Sequence, residues 1–453
     1  MSIFSIGISG LHAAQQALYT TSNNISNVYT PGYNREVVQL GESRYGGGVQ
    51  ISAIERQFDR FVNAQLNTSS SALSALETYE FQIGQIDTLL ADQDGGLAPL
   101  MNQFFASFEA LAGGPADPAA RQGVLGSARA LASQFRAVDE YLDSMQQGIN
   151  GQIGDEIAQI NSRAEQLAGL NREIGLANVK TGSVPNTLLN QREQLVAELG
   201  ERLGVSVTIQ DGGRYNLTMG NGRPLVMGSQ FYSLEAVSSS VDPSRTAVGY
   251  RDSTGKLLEL DDGAIQGGSL GGLLDFRSQT LDATQQQLGQ LAVSLAEGVN
   301  GQHRQGVDLN GLAGKDFFRV EEPLSQAAGT LRLDIEDIAD IAAGEAWGSG
   351  DNRNALALQE LQSKPLVTGK ATLSQAYGAL VSEIGNRTQE VQVRLTAQTA
   401  LTEQLRTRQQ SESGVNLDEE AARLVQYQQY YQANAKVIEM GATLFDTLLG
   451  LRA

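Results

Sequence analysis

The N-terminal segment carries large apolar side chains seven residues apart and smaller side chains three residues after each. The large residues are Phe4, Leu11, Leu18 and Ile25. The smaller residues are Gly7, Ala14, Thr21 and Val28. This spacing places both sets on one stripe of a helix, where small residues let a second helix approach closely. The pattern ends at Pro31-Gly32, a pair that terminates a helix and turns the chain.

The C-terminal segment carries an apolar stripe whose steps alternate between four and three residues. Its members, of which only Gln428 is polar, are Leu417, Ala421, Leu424, Gln428, Tyr431, Ala435, Ile438, Ala442, Phe445 and Leu449. Gly414 is a natural break before it, and three acidic residues at 418–420 favour a helix N-terminus. Disorder normally concentrates at chain termini. Regular stripes at both termini therefore indicate helices whose role goes beyond packing against the core.

Three internal stretches also have helical periods. Their apolar positions are Ile149, Ile153, Ile157, Ile160, Ala164, Leu167, Leu170 and Ile174; Leu274, Leu281, Leu288 and Leu295; and Leu373, Tyr377, Leu380, Ile384, Val391 and Leu395. Three-to-four spacing favours shallow crossing angles between long helices. We therefore expect long antiparallel helices packed side by side in an elongated rod.

One internal region breaks the helical period. Val205, Val207 and Ile209 alternate with polar residues, and a second alternating run follows the turn at 211–213. Alternation of period two joined by a glycine-rich turn predicts a hairpin, and similar short runs continue to about Leu260. A second irregular stretch, about 302–350, is expected to hold small β elements.

These patterns predict a mainly α chain with an inserted β domain. At 453 residues the chain is long enough for two to four domains. The predicted domains are a terminal helical inner-tube domain from 1–40 plus 414–453, a long-helix rod domain from 41–201 plus 267–413, and an inserted β domain at 202–266. The terminal helices are expected to pair in a coiled-coil-like manner.

Composition narrows the classes of partner. A formal net charge of −19 repels phosphate backbones and anionic lipid surfaces, so nucleic acid and membranes are poor candidates. Cysteine is absent, which removes disulfides, thiolate metal sites and cysteine nucleophiles. The N-terminus lacks the cationic leader and continuous apolar core of a secretory signal, and no apolar run approaches the roughly 20 residues that span a bilayer.

Candidate catalytic chemistry is sparse. The two histidines, His12 and His303, lie far apart in sequence and in unlike contexts. The run 307–311 contains Asp and Asn but lacks the spacing of a calcium loop, and it is predicted to form a turn. We predict no catalytic residue, no cofactor and no metal site.

Two terminal motifs resemble those of one protein family. Asn23-Asn24-Ile25-Ser26-Asn27, followed by the TPGY sequence at 30–33, resembles the N-terminal motif of bacterial flagellar rod, hook and hook-associated proteins. The run from 413–420 into LVQYQQYYQANAKVI resembles their C-terminal helix. The run GDNRNALAL from Gly350 is similar to the hook-associated members.

The resemblance implies a structural role in which the terminal helices pair and polymerise. The implied function is adapting the flagellar hook to the filament, in a ring-like layer that contacts hook protein and the next hook-associated junction protein. The implied assembly interface comprises the large N-terminal stripe residues, the apolar members of the C-terminal stripe, and Asn23, Asn24 and Asn27, which would cap the helix and bond to backbone at the turn.

The resemblance also implies an extracellular location in the flagellum. Such proteins are exported unfolded by the flagellar type III apparatus, and an export chaperone is expected to bind the C-terminal helix.

Three alternatives remain open on sequence alone. The chain could be another axial protein of hook or distal rod, although hook proteins are largely β outside their terminal helices. It could be a cell-wall hydrolase carried on a flagellar scaffold, which requires an acidic pair with separated pKa values. It could also be an unrelated coiled-coil scaffold outside the flagellum.

Overall fold

The computed structural model describes residues 3–43, 47–92, 96–181, 184–210, 213–321, 323–348 and 350–450. Two compact units are present. The first comprises Met1–Leu73, Gln159–Ser233 and Ala397–Ala453, and the second comprises Ser74–Ala158 and Leu234–Thr396. Compact units and independently folding domains are different divisions of a chain. The three domains expected from the sequence therefore stay a prediction.

Most of the described residues lie in α-helices. They are α1 Ile3–Ser26, α2 Arg60–Leu90, α3 Leu97–Gly113, α4 Pro118–Thr181, α5 Asn186–Arg202, α6 Gly268–Phe276, α7 Asp282–His303, α8 Ala327–Thr330, α9 Arg353–Glu360, α10 Leu373–Ser413 and α11 Leu417–Gly450. At a rise of 1.5 Å per residue, the 64 residues of α4 span about 96 Å. No helix among the described residues is both long and apolar enough to cross a membrane.

The strands form small antiparallel sheets. They are β1 Glu36–Glu42, β2 Val49–Arg56, β3 Val205–Ile209, β4 Tyr215–Met219, β5 Pro224–Met227, β6 Gln230–Phe231, β7 Leu234–Ser238, β8 Thr246–Arg251, β9 Leu257–Leu260, β10 Phe318–Arg319 and β11 Arg332–Leu333. Their orders are β1-β2, β3-β4-β5-β6, β7-β8-β9 and β10-β11.

The predicted helical stretches are confirmed as parts of α4, α6, α7 and α10. The isoleucines of α4 are buried, as are Leu274, Leu288 and Leu295. Leu281 lies in a π-helical turn, Arg277–Leu281, which joins α6 to α7. The elements predicted from the sequence did not include α2, α3 or the hairpin of β1 and β2.

The predicted β hairpin is confirmed: β3 pairs with β4 from Val205↔Met219 to Ile209↔Tyr215. Of its turn, residues 211 and 212 lie outside the described residues. β5 and β6 extend this hairpin into a four-stranded sheet, and β7, β8 and β9 form a separate sheet in the second compact unit. Each sheet is attached to α4 by an asparagine: Asn171 donates to Tyr215 O at 2.9 Å, and Asn150 donates to Ser244 O at 2.8 Å.

Small β elements are also confirmed in the 302–350 stretch, where β10 pairs with β11. Asp308 closes the predicted turn by accepting hydrogen bonds from the backbone of Asn310 and Leu312, each at 2.8 Å.

An aromatic cluster forms the core of the second unit around α3. The ring of Phe104 packs edge-to-face against Phe108 and at a tilt against Phe318, with ring centroids 5.2 and 5.5 Å away. His303 belongs to this core: its Nδ1 donates to Lys315 O at 2.6 Å, and its Nε2 accepts from the Ala342 amide at 2.9 Å. Burial lowers the pKa of His303, so the ring is neutral and serves as a structural bridge.

Asp139 on α4 is a buried carboxyl group with incomplete hydrogen bonding. Only 4% of the residue is exposed, and its Oδ1 has no hydrogen-bond partner. Burial, with the nearby charges of Asp143 and Glu140, raises the pKa of Asp139 to about 6. At neutral pH the folded chain therefore holds a carboxylate in an unfavourable environment.

Replacing Asp139 by Asn should stabilise the protein at pH 7.5 by up to about 3 kcal/mol, because about two pKa units of unfavourable charge burial are removed. The pKa of Asp139 is higher in the folded chain than its unfolded value of 3.8. The destabilisation by its charge is therefore complete above about pH 6 and absent below about pH 4. The gain should therefore shrink between pH 7.5 and pH 5 in chemical denaturation experiments. Asp155→Asn, an exposed change on the same helix, is the control. A gain for Asp139→Asn that is independent of pH would contradict this assignment.

Candidate assembly interface

Helix α1 contains no aspartate, glutamate, lysine or arginine between Ile3 and Ser26. The residues that it buries are mostly small: Gly7, Ala13, Ala14, Ala17, Thr20, Thr21 and Asn24. A helix surface built from such residues lets the backbone of a second helix come close. The helix that it contacts is α11.

Glycines mark the closest approaches between α1 and α11. A Cβ atom placed on Gly7 would lie 2.7 Å from Cγ1 of Ile438. A Cβ atom placed on Gly10 would overlap the side-chain amide of Asn434. Larger residues at these two positions would force the helices apart, so the pairing depends on the small residues of α1.

Asn24 joins the two ends of the chain through a buried carboxylate. Its Nδ2 donates to Oε2 of Glu420 at 2.9 Å and to the backbone oxygen of Glu36 at 2.8 Å. Glu420 is fully buried at the start of α11, and its Oε1 accepts from Nε of Arg35 at 2.8 Å. Arg35 also reaches Glu419 at 2.9 Å. The charge of Glu420 is therefore both paired and hydrogen-bonded, which a buried carboxylate requires.

The TPGY turn supports this junction. Gly32 has φ +73°, a conformation that a residue with a Cβ adopts only with strain. The hydroxyl of Tyr33 donates to Oδ1 of Asn24 at 2.8 Å and accepts from Nδ2 of Asn23 at 3.2 Å. Burial, reinforced by the charge on Glu36, raises the pKa of Tyr33, so its hydroxyl keeps the proton that this bond uses.

Asn27 and Asn416 stabilise the adjoining helix ends. Asn27 donates to the backbone oxygen of Asn23 at 2.9 Å, which closes the last turn of α1. Asn416 accepts from the backbone of Asp418 at 3.0 Å and begins α11. The backbone amide of Arg35 donates to Ser413 O at 2.9 Å, so the chain after α1 is also bonded to the end of α10.

The predicted N-terminal residues lie at least partly buried. Those on or beside α1 with intermediate exposure are Phe4, Leu11, Leu18, Asn23, Ile25 and Asn27, and Asn24 is buried. On α11 the residues at least partly buried beside α1 include two members of the predicted stripe, Leu424 and Ile438, together with residues outside it, and the role of the stripe in assembly stays a prediction. Glu420 and Gly441 are buried, and Leu424, Tyr427, Asn434 and Ile438 are partly buried.

Most of the predicted C-terminal stripe is exposed in the single chain. Its exposed apolar members are Leu417, Ala421, Tyr431, Ala435, Ala442, Phe445 and Leu449. Other large apolar residues of α11 are exposed beside them. We use the name outer face of α11 for the large apolar residues of this helix that are exposed in the single chain, whichever side of the helix they lie on: Leu417, Val425, Tyr430, Met440, Leu444, Phe445, Leu448 and Leu449, which are between 42% and 66% exposed.

The contact of α11 with α1 thus combines the polar or small residues Glu420, Asn434 and Gly441 with the apolar Leu424 and Ile438. Sequence periodicity did not identify Glu420, Asn434 and Gly441 because they are not apolar. The arrangement offers a binding surface. Among the residues that the structure describes, no group of three or more His, Cys, Asp or Glu side chains could hold a metal ion.

Family models match both helices and the region between them. A model described as the flagellar hook-associated protein FlgK helical domain matches residues 83–318. A model of the flagella basal body rod protein matches residues 4–34, and one of the flagellar basal body rod FlgEFG protein C-terminal matches residues 409–451. These matches place the chain among the proteins of the bacterial flagellar axis.

Similar proteins extend over the whole chain. Flagellar hook-associated protein 1 of Salmonella typhimurium is 37% identical over 551 residues, with 100% of each chain covered. The Bacillus subtilis protein of the same name is 28% identical, covering 97% of this chain and 96% of its own. The solved flagellar hook junction protein FlgK from Burkholderia pseudomallei shares the fold with a TM-score of 0.72 at 24% identity, covering 77% of this chain and 100% of its own.

The chain belongs to the FlgK family, the flagellar hook-associated proteins 1. Its role is that of a structural protein of the flagellum. The predicted resemblance to this family is confirmed.

Asn24→Ala should weaken the pairing of α1 with α11, because the change leaves the Glu420 carboxylate and the backbone of Glu36 without their shared partner. Leaving one such buried group unsatisfied costs about 1–3 kcal/mol. We expect backbone amides of both helices to exchange with deuterium about tenfold faster or more. Asn27→Ala, which removes bonds to Asn23 and Thr30 rather than a bond to α11, is the matched control and should change exchange in α11 little. Equal effects of the two variants on α11 would contradict the role given to Asn24.

Proposed function

We propose that this chain joins the flagellar hook to the filament by polymerising into a ring-like layer through α1 and α11. The outer face of α11 is the observation that supports this proposal most strongly. Met440 and Phe445 are 61% and 55% exposed in the single chain, and large apolar neighbours surround them on the same helix. Many large apolar side chains exposed on one helix suggest a contact with another molecule.

The α1 helix adds a second surface suited to burial. Ile3, Ile6 and Ile8 are exposed near its N-terminus, and the whole helix lacks an ionised carboxylate, lysine or arginine. If neighbouring copies enclosed α1, no carboxylate, lysine or arginine of this helix would be buried. Burying one large apolar side chain contributes about 1.5–3 kcal/mol, so a few such contacts for each copy would stabilise a polymer.

The proposed position between hook and filament determines the partners that we propose. Hook protein would contact the layer below, and the next hook-associated junction protein would contact it above. Before assembly, the outer face of α11 would be covered by an export chaperone through recognition of a helix in a groove. Secretion through the flagellar type III apparatus would deliver the chain to its extracellular site. We propose no catalytic activity.

The test separates assembly from folding by changing only exposed residues. Phe445→Ser with Leu449→Ser should leave the stability of the monomer within about 0.5 kcal/mol, because both side chains are exposed in it. The same change should weaken each contact between copies by about 3 kcal/mol or more. In cells whose own gene is deleted, the double variant should give hooks without filaments and flagellin shed into the medium.

Leu176→Ser with Val179→Ser is the matched control, since both residues are exposed on α4. Cells with this control should carry normal filaments as counted by electron microscopy. Normal filaments on cells with the Phe445 and Leu449 changes would overturn the proposal.

A further inference from the structure

A cationic pocket lies in the first compact unit, outside the contact of α1 with α11. Its volume is about 330 Å³. The end of β2, the start of α2, α4, α5 and the β3–β4 hairpin all contribute to it. The residues used below are Arg56, Phe58, Arg60, Ile174, Arg192 and Tyr215, which line it.

Two buried guanidinium groups share a single carboxylate in this pocket. Oε1 of Glu193 lies 3.1 Å from Nη2 of Arg56 and 3.4 Å from Nη2 of Arg192. The hydroxyl of Tyr215 donates to the same oxygen at 2.8 Å. The arginine side chains are only 9% and 5% exposed. Among the described residues, Glu193 is the only acidic partner in an ion pair with either arginine, so the pair retains one uncompensated positive charge.

The surroundings compensate this charge only partly. The guanidinium of Arg192 stacks over the ring of Tyr215 at 3.5 Å, and that of Arg56 stacks over Phe58 at 4.1 Å. Nε of Arg192 is buried without a hydrogen-bond partner. Burial lowers the pKa of Arg56, with Glu193 opposing the shift and Arg192 adding to it. A buried cation with incomplete hydrogen bonding is unfavourable unless an anion binds nearby.

The rest of the pocket has the features of a binding site for an organic acid. Arg60 is exposed and lines the opening, which adds a third positive charge. Ile174, Leu189 and Ile209 supply an apolar wall. Guanidinium groups match the geometry of a carboxylate, and the apolar wall suits a short methylene chain.

We propose that this pocket binds a carboxylate, and that in the assembled layer the carboxylate is an acidic side chain of a neighbouring copy of this chain. Charge complementarity supports this occupant, because the chain has 51 acidic and 32 basic side chains. An acidic chain that presents a positive pocket can attract another copy at this point and repel it elsewhere, which fixes register. The assignment of the carboxylate to a neighbouring copy rests on the proposed polymerisation. Carboxylate binding itself does not.

Carboxylate binding is tested on the full-length monomer with butyrate, which resembles a glutamate side chain, and with butyramide, its uncharged isostere. At constant ionic strength, butyrate should raise the melting temperature and butyramide should not. Arg60→Glu should weaken the apparent affinity for butyrate about fivefold or more. The variant should still fold, because an acidic residue suits the first turn of α2, next to the Asp59 cap.

Arg172→Glu is the control, since Arg172 is exposed on α4 two residues before the buried Ile174. It should keep the butyrate response of the unchanged chain. Absence of a butyrate effect, an equal effect of butyramide, or an equal loss in both arginine variants would overturn the carboxylate site.

The source of the carboxylate is tested by assembly in cells. Arg60→Glu should reduce the number of filaments, and Arg172→Glu should not. If butyrate binds and Arg60→Glu cells still assemble normally, the second copy is excluded as the source and a free organic acid replaces it. If butyrate binds while the Phe445 and Leu449 changes leave filaments intact, polymerisation through α11 fails and the carboxylate site stands.

Discussion

The buried carboxylate of Glu420 is the constraint on which the organisation of the first unit depends. A carboxylate removed from water needs an opposite charge and several hydrogen-bond donors, and breaking such a buried pair costs about 3–5 kcal/mol. Here the donors are Asn24 and Arg35, which lie almost four hundred residues away in sequence. The ion pairs of Arg35 and the amide of Asn24 therefore tie the end of α1 and the segment after it to the start of α11, where they supplement the close packing at Gly7 and Gly10.

This junction changes what the last helix presents to solvent. An ordinary surface helix buries its apolar residues and exposes its polar ones. In α11 a glutamate, an asparagine and a glycine contact α1 together with Ile438, and other large apolar residues stay exposed. The junction holds the pair within one chain, so the exposed apolar residues are free to contact other molecules. The proposed assembly thus uses residues of α11 that folding leaves exposed.

Periodicity in the sequence predicted much of the fold but only part of the interface. The isoleucines of α4 and the alternation around Val205 identified their elements because each buries one apolar face. The helix α3 shows the same signal at Met101, Phe104 and Phe108, and it could have been found in this way. The helix α2 is harder to recognise because serine, threonine and glutamine interrupt its apolar positions.

The interface was harder because its specificity depends on polar groups that are paired only in three dimensions. The Asn-Asn-Ile motif identified Asn24, but nothing in the spacing showed that Glu420 would accept its hydrogen bond. The cationic pocket had no sequence signal either, since Arg56 and Arg192 come from separate elements. Long-range pairing of this kind follows from topology, which periodicity does not contain.

Methionine oxidation tests the central claim most directly, because the methionines sample both kinds of environment. Met440 lies on the outer face of α11, Met227 is exposed on β5 and Met101 is buried beside the phenylalanines of α3. In the monomer, brief treatment with peroxide followed by mass spectrometry should show oxidation of Met440 and Met227 and protection of Met101. In assembled flagella, Met440 should become protected. Equal oxidation of Met440 in the monomer and in assembled flagella would contradict assembly through this face.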